Sequence, residues 1–165
     1  MQNKIKHTSE IDQFDHLDEL SQEHQRLISK ASEALDSSYS PYSGFSVGAA
    51  VELADGTIVL GSNQENIAYP SGLCAERVAL FSVGTNFPDR EIKSIAIVAK
   101  SIHGNVTDPV TPCGACRQVM IEFESQQTKP ISVIMMGNEG KIWLSESVHN
   151  LIPFYFSSPH VGRIK

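Results

Sequence analysis

Cysteine is scarce in this chain, three in 165 residues, and the scarcity narrows the reading. An odd count with no recognisable export leader excludes a disulfide framework and predicts a reducing, cytoplasmic setting. The opening Met1-Gln2-Asn3-Lys4-Ile5-Lys6 has a little positive charge but no apolar stretch behind it, so it does not read as a secretory signal. No apolar run approaches the length of a bilayer span, which excludes a membrane partner. Basic residues are also few: 13 Lys and Arg stand against 19 Asp and Glu, for a formal net charge of −6. A protein that grips long nucleic acid needs a basic stripe to neutralise phosphates. The expected partner is therefore small and not highly anionic, and no polynucleotide is expected. Internal repeats and low-complexity segments are lacking too.

What remains is an ordinary globular composition, 41% hydrophobic, long enough for one domain with a full core. Residues 1–20 hold Glu10, Asp12, Asp15, Asp18 and Glu19 and read as an acidic N-terminal arm, in which Ile5–Thr8 could form a short edge strand. Residues 21–165 read as a single domain. Ser21 is a plausible helix N-cap, and Leu27, Ile28, Ala31, Ala34 and Leu35 recur at helical spacing, which predicts a helix over about 22–37. Phe45 to Leu53 and Thr57 to Leu60 read as two strands joined by Ala54-Asp55-Gly56-Thr57, a hairpin signal. A second helix is predicted from Cys74 with Val78, Ala79, Leu80 and Phe81 as its buried body. Strands follow at Ile92–Ala99 and Ile131–Met136, with a third helix starting at Pro112-Cys113 between them. A short Ile142-Trp143-Leu144 segment comes next. The aromatic end, Phe154, Tyr155 and Phe156, is expected to pack. The order helix, hairpin, helix, strand, helix, strand is that of an α/β domain.

All three cysteines fall in two short stretches, Cys74-Ala75-Glu76-Arg77 and Pro112-Cys113-Gly114-Ala115-Cys116-Arg117. Three soft thiolates can hold a tetrahedral zinc ion and leave its fourth position open, the arrangement of a hydrolytic rather than a structural site. Cys113 and Cys116 lie three apart at a predicted helix start, so their sulfurs share a face. Cys74 begins another helix, and the positive end of each helix favours thiolate. Glu76, two residues after the first cysteine, is placed to move protons. Three thiolates overcompensate a divalent cation, and Arg77 is the nearby charge that would restore its acidity. Asn63 and Glu65 lie two apart after the hairpin. In extended chain they point to one face, an amide and a carboxylate suited to sugar hydroxyls, while Gln64 points to the other.

Together with Pro41-Tyr42-Ser43-Gly44-Phe45-Ser46-Val47-Gly48-Ala49-Ala50, Asn63-Gln64-Glu65-Asn66 and Gln118-Val119, these stretches resemble the cytidine deaminase family that acts on free nucleosides. The resemblance runs from about Tyr39 to Phe156. It implies an α/β fold, a three-layer α/β/α sandwich with a central mixed five-stranded sheet. It implies hydrolytic deamination of cytidine and 2′-deoxycytidine, with Zn2+ held by Cys74, Cys113 and Cys116 and with Glu76 as the proton shuttle. Phe45 would line the base pocket, Asn63 and Glu65 would hold the ribose, and the backbones of Ala75 and Thr111 would read the pyrimidine. The resemblance also implies a homotetramer with shared sites, Tyr69 and Phe156 reaching a neighbour's pocket. Gln64, Ile67, the tail after Ser158 and the longer arm depart from the family's usual pattern. Two rival readings share the zinc motifs: an aminonucleoside-antibiotic deaminase and a catalytically idle zinc-binding module. Phe45, Asn63 and Glu65 favour a plain nucleoside over the first, and an intact Glu76 favours catalysis over the second.

Overall fold

The computed structural model describes residues 2–157. Residue 1, and with it the start of the arm, lies outside the described residues, as do the tail after Ser158 and the end of the 21–165 range. The elements are β1 (Asp12–Phe14), α1 (Gln22–Ala34), β2 (Phe45–Leu53), β3 (Ile58–Ser62), α2 (Ala75–Asn86), β4 (Ile92–Ser101), α3 (Gly114–Glu124), β5 (Ser132–Met136) and β6 (Ile142–Ser145). They form one six-stranded sheet in the order β1-β6-β5-β4-β2-β3. β4 and β5 run parallel across the α3 connection, and the other pairs are antiparallel.

The expected five strands become six because Asp12–Phe14, inside the stretch read as an arm, pairs with Ile142–Leu144 of β6. The edge strand is therefore there and not at Ile5–Thr8, which carries no strand. Backbone pairing to an open edge, fastened by Trp143 Nε1 donating to Gln13 Oε1 at 3.1 Å, needs no hydrophobic pattern.

Helix α1 starts where Ser21 Oγ accepts the His24 N–H at 3.2 Å, and it ends in a 3-10 turn over Leu35–Ser37. A helix of 13 residues is marginal alone, so its buried face holds it in place. Leu27, Ile28 and Ala31 meet Ala50, Ala96 and Val98 on one side of the sheet. Burial of Leu27 and Ile28 contributes about 1.5–3 kcal/mol each. On the opposite side, Ala49, Val51, Ile95 and Ile97 pack against Ala79, Leu80 and Val83 of α2 and Met120 and Ile121 of α3. The period-2 alternation of β2 and β4 thus feeds two cores, one per face, which makes the α/β/α sandwich.

Two glycines set how close the helices lie. A Cβ at Gly48 would sit 2.0 Å from the Ala31 carbonyl oxygen, and one at Gly61 would sit 2.5 Å from the Ala75 oxygen and the Ala79 nitrogen. Gly61 thereby seats the first turn of α2 directly on β3. Two expectations about packing fail. Phe81 is exposed, because four consecutive apolar residues on a helix cannot all face one way, and Val83 takes the inward place. Phe154 and Phe156 are also exposed on this chain, while Leu151 is buried.

Candidate active site

The starts of α2 and α3 meet beside the sheet. Cys74 and Cys113 are the N-cap residues of the two helices, both extended (ψ 154° and 166°), and neither side chain caps its helix. Each carbonyl instead accepts the first helical N–H, from Val78 at 3.1 Å and from Arg117 at 2.9 Å. The sulfurs are left free, and Cys116 brings the third from inside the first turn of α3. Cys74 Sγ lies 3.9 Å from Cys113 Sγ, Cys113 Sγ lies 3.5 Å from Cys116 Sγ, and all three fall within 4.8 Å of one another. A zinc ion about 2.3 Å from each of three tetrahedral sulfurs would set them about 3.8 Å apart. The cluster fits that ion.

The protons agree. The hydrogen bond from Cys116 and then the Arg77 guanidinium, whose Nη2 is 3.7 Å from Cys74 Sγ, bring the Cys74 thiol down to about 5. Once Cys74 is a thiolate, its hydrogen bond with Cys116, together with burial, pushes the Cys116 thiol strongly upward. One negative charge forms readily here, and a second needs a cation. Glu76 is 4% exposed, and burial raises its carboxyl above the usual range. The hydrogen bond to Cys74 raises Arg77, whose Nε is buried with no protein partner.

A cavity of about 630 Å³ opens over this cluster. Phe45, Val47 and Ile97 give it an apolar wall, Asn63 and Glu65 a polar edge, and Cys74, Cys113 and Glu76 a reactive corner. Thr111 and Tyr69 also line it, and Tyr69 meets Tyr42 edge-on at 5.9 Å between ring centres at the mouth. Among the described residues no Lys, Arg or His lines the cavity. Not every candidate is on its wall. Ala75, Cys116, Arg77 and Phe156 do not line it; Ala75 and Cys116 are fully buried, and Phe156 is exposed.

Asn63 and Glu65 come together as their spacing predicts, but each is heavily engaged within the chain. Asn63 Oδ1 accepts from Ser38 Oγ at 2.6 Å and Val47 N at 2.8 Å, and Nδ2 donates to the Phe45 carbonyl at 2.9 Å. Glu65 accepts from Tyr42 N at 2.9 Å, Ser43 N at 3.2 Å and Ser43 Oγ. Gln64 turns its amide to the Ser37 carbonyl and the Ser62 hydroxyl.

The sequence assigns no role to Ser38, Ser43, Arg117 or Gln118, although the last three lie within the motifs that carry the resemblance. Arg117 ties the loop before Cys113 to the segment after β6, with Nε donating to the Pro112 carbonyl at 2.7 Å, Nη1 to the Leu151 carbonyl at 2.9 Å and Nη2 to Thr111 Oγ1 at 3.1 Å. Its place at the end of the second cysteine motif is its signal in the sequence, because two of its three partners are backbone carbonyls that carry no residue identity.

Over residues 21–131 the chain matches the family described as the cytidine and deoxycytidylate deaminase zinc-binding region. It is 40% identical over 134 residues to the cytidine deaminase of Halalkalibacterium halodurans, covering 81% of this chain and 94% of that one. It is 46% identical over 99 residues to the cytidine deaminase of Sporosarcina psychrophila, covering 60% and 68%. Among solved structures, cytidine deaminase from Burkholderia pseudomallei aligns with a TM-score of 0.70 at 38% identity, covering 81% of this chain and 98% of that one.

Proposed function

Because this chain belongs to the cytidine and deoxycytidylate deaminase zinc-binding family, we propose that it hydrolyses cytidine and 2′-deoxycytidine to uridine and 2′-deoxyuridine, releasing ammonia. The observation that carries the reading is the three-sulfur cluster beside buried Glu76 at the corner of a cavity large enough for a nucleoside.

Cys74, Cys113 and Cys116 would hold the zinc ion, with Arg77 offsetting their charge. When bound, zinc supplies a Lewis acid that brings the pKa of a water in its open position toward about 7. Glu76 takes a proton from the attacking water and gives it to N3 of the ring. It then takes the proton of the hydroxyl newly formed at C4 and passes it to the exocyclic nitrogen, so that the C4–N bond breaks, the C4 carbonyl forms and ammonia leaves. Its burial suits a carboxyl that must be base and then acid. Phe45 supports the base, the backbones of Ala75 and Thr111 read its edge, and Asn63 and Glu65 hold the sugar.

The family's description spans nucleoside and nucleotide substrates, and the cavity favours the nucleoside. Its lining offers the carboxylates Glu65 and Glu76 and no cation, so a 5′-phosphate would meet repulsion without a partner. The role is that of a pyrimidine salvage enzyme of the cytoplasm, assembled as a homotetramer. In support, no helix among the described residues is long and apolar enough to cross a membrane. Phe156 exposes 76% of its surface on a single chain, which suits a ring that enters a neighbour's site, whereas Tyr69 lines the cavity of its own chain. Loss of ultraviolet absorbance should be followed with cytidine, deoxycytidine, deoxycytidylate and blasticidin. Turnover of the two nucleosides and not of the others is expected. Turnover of blasticidin alone would establish the antibiotic-deaminase reading, and no turnover by zinc-loaded protein would leave only the zinc-binding module.

A further inference from the structure

We propose that Ser43 is a positioning residue that fixes the sugar-binding carboxylate Glu65 and the base-pocket residue Phe45 in one register; this rests on the reading of Glu65 as a sugar contact.

A serine hydroxyl has one proton to give and two lone pairs to accept with. The Ser43 proton goes to Glu65 Oε1. Ser43 Oγ itself accepts the Phe45 N–H at 3.0 Å. One atom therefore joins two cavity-lining residues that lie 20 positions apart in the chain, as 65 minus 45. The backbone makes this possible. Gly44 has φ +64°, and a Cβ there would sit 2.5 Å from Ile102. The turn folds Ser43 back over Phe45 and brings the Tyr42 and Ser43 N–H groups to Glu65 Oε2.

The count of acceptors gives the consequence. An ionised carboxylate offers roughly four lone-pair positions. Three are filled, by Tyr42 N, Ser43 N and Ser43 Oγ. One is left for a ligand hydroxyl on the cavity side. The Ser43 hydrogen bond is also the largest influence holding the Glu65 carboxyl below the usual range, so the carboxylate stays ionised and accepts only. Without Ser43 Oγ, Glu65 gains a second open position and rotational freedom, and it must be ordered when substrate binds.

The test is steady-state kinetics on zinc-loaded Ser43→Ala, Ser43→Thr, Glu65→Ala and the Ser43→Ala/Glu65→Ala pair. Ser43→Ala should raise KM for cytidine about tenfold, the scale of one charge-assisted hydrogen bond, with kcat within about twofold and zinc content unchanged. Ser43→Thr, which keeps the hydroxyl, should restore most of the KM. In the Glu65→Ala background, Ser43→Ala should add less than about threefold, because the group it positions is gone. If Ser43→Ala does not fold, Ser43→Cys replaces it as a weak donor of similar shape and should raise KM in the same direction. A normal KM in Ser43→Ala beside a raised KM in Glu65→Ala overturns the proposal and leaves the sugar reading intact. So does a full additive loss in the double variant. A normal KM in Glu65→Ala overturns both.

Discussion

Gln118 holds Phe156 by both of its backbone groups. The Gln118 Oε1 accepts the Phe156 N–H at 2.9 Å, and Nε2 donates to the Phe156 carbonyl at 3.0 Å. A side-chain amide thus stands in for a strand partner, and it sits on α3 two residues after Cys116. The place of the exposed Phe156 ring is set by the same helix start that carries two of the three thiols.

Removing that clamp should loosen the segment around Phe156 without touching the metal site. Gln118→Ala loses two neutral hydrogen bonds, each worth about 1 kcal/mol. KM for cytidine should rise by up to about tenfold, with zinc content unchanged. Gln118→Glu should behave similarly, because a carboxylate can accept from Phe156 N but cannot donate to its carbonyl. An unchanged KM in both variants would show that Phe156 does not act at a site.

Glu76→Gln keeps the size of the side chain and removes its capacity to shuttle protons. Turnover should fall by at least about a hundredfold, the lower range for general acid–base catalysis. Bound zinc, measured by elemental analysis on the same sample, should stay near one per chain. Substantial surviving activity would remove Glu76 from the mechanism.

Zinc removal should expose a thiol of unusual reactivity. In chelator-stripped protein, alkylation followed by peptide mass mapping should label Cys74 first. Its thiol is brought down to about 5, while Cys116 is driven upward. A lowered pKa leaves the thiolate present above about 5, so labelling should hold from pH 8 down to about 6 and fall as pH drops through 5. Reloading zinc should protect all three cysteines. Equal labelling of Cys74 and Cys116 at pH 6 would contradict the picture of one early thiolate. Cys116→Ala should lose zinc and lower Tm, since metal binding is coupled to folding.

A separate prediction concerns stability. Buried Glu124 at the end of α3 accepts from Ile131 N at 2.7 Å, Val148 N at 2.9 Å and Ser147 Oγ at 2.7 Å. It joins the third helix to the start of β5 and to the turn after β6. Glu124→Ala would strand these donors, two of them buried backbone groups. Each unsatisfied group costs about 1–3 kcal/mol, so urea denaturation should show a loss of roughly 3 kcal/mol or more. A loss below about 1 kcal/mol would mean that water replaces the carboxylate.

How far the sequence carries the site depends on what kind of partner each residue has. The cysteines, Glu76 and the Asn63/Glu65 pair are legible because their chemistry and their spacing speak together. The strands β2 and β4 are legible because burial on both faces leaves an apolar run. Ser43, Ser38 and Gln118 are not, since each meets partners 22–38 residues away through atoms that any fold could offer elsewhere. β1 is invisible for a related reason. Asp12, Gln13 and Phe14 join the sheet through backbone pairing to β6, and backbone pairing leaves little trace in side chains. Phe81 misleads by neighbourhood: it sits in an apolar run, and only the phase of the helix assigns it to the outside.

The final prediction concerns whether each site needs two chains. Phe156 is 76% exposed and absent from its own chain's cavity wall, although a ring of this size on a surface invites burial. If it stacks on the base in a neighbouring subunit, its aromatic contact adds about 1 kcal/mol beyond the area it covers. Phe156→Ala should then raise KM without releasing zinc. The decisive measurement mixes Phe156→Ala, weakened at low cytidine, with inactive Glu76→Gln by unfolding and refolding them together, with native mass spectrometry verifying that the oligomers contain both. In a shared arrangement, some sites combine an intact Glu76 from one chain with an intact Phe156 from the other. Activity at low cytidine should then rise above the average of the parents. In an unshared arrangement every site keeps the defect of its own chain, and the mixture gives only that average. Verified mixed oligomers with no such rise would confine each site to one chain and leave Phe156 a residue of the assembly surface alone.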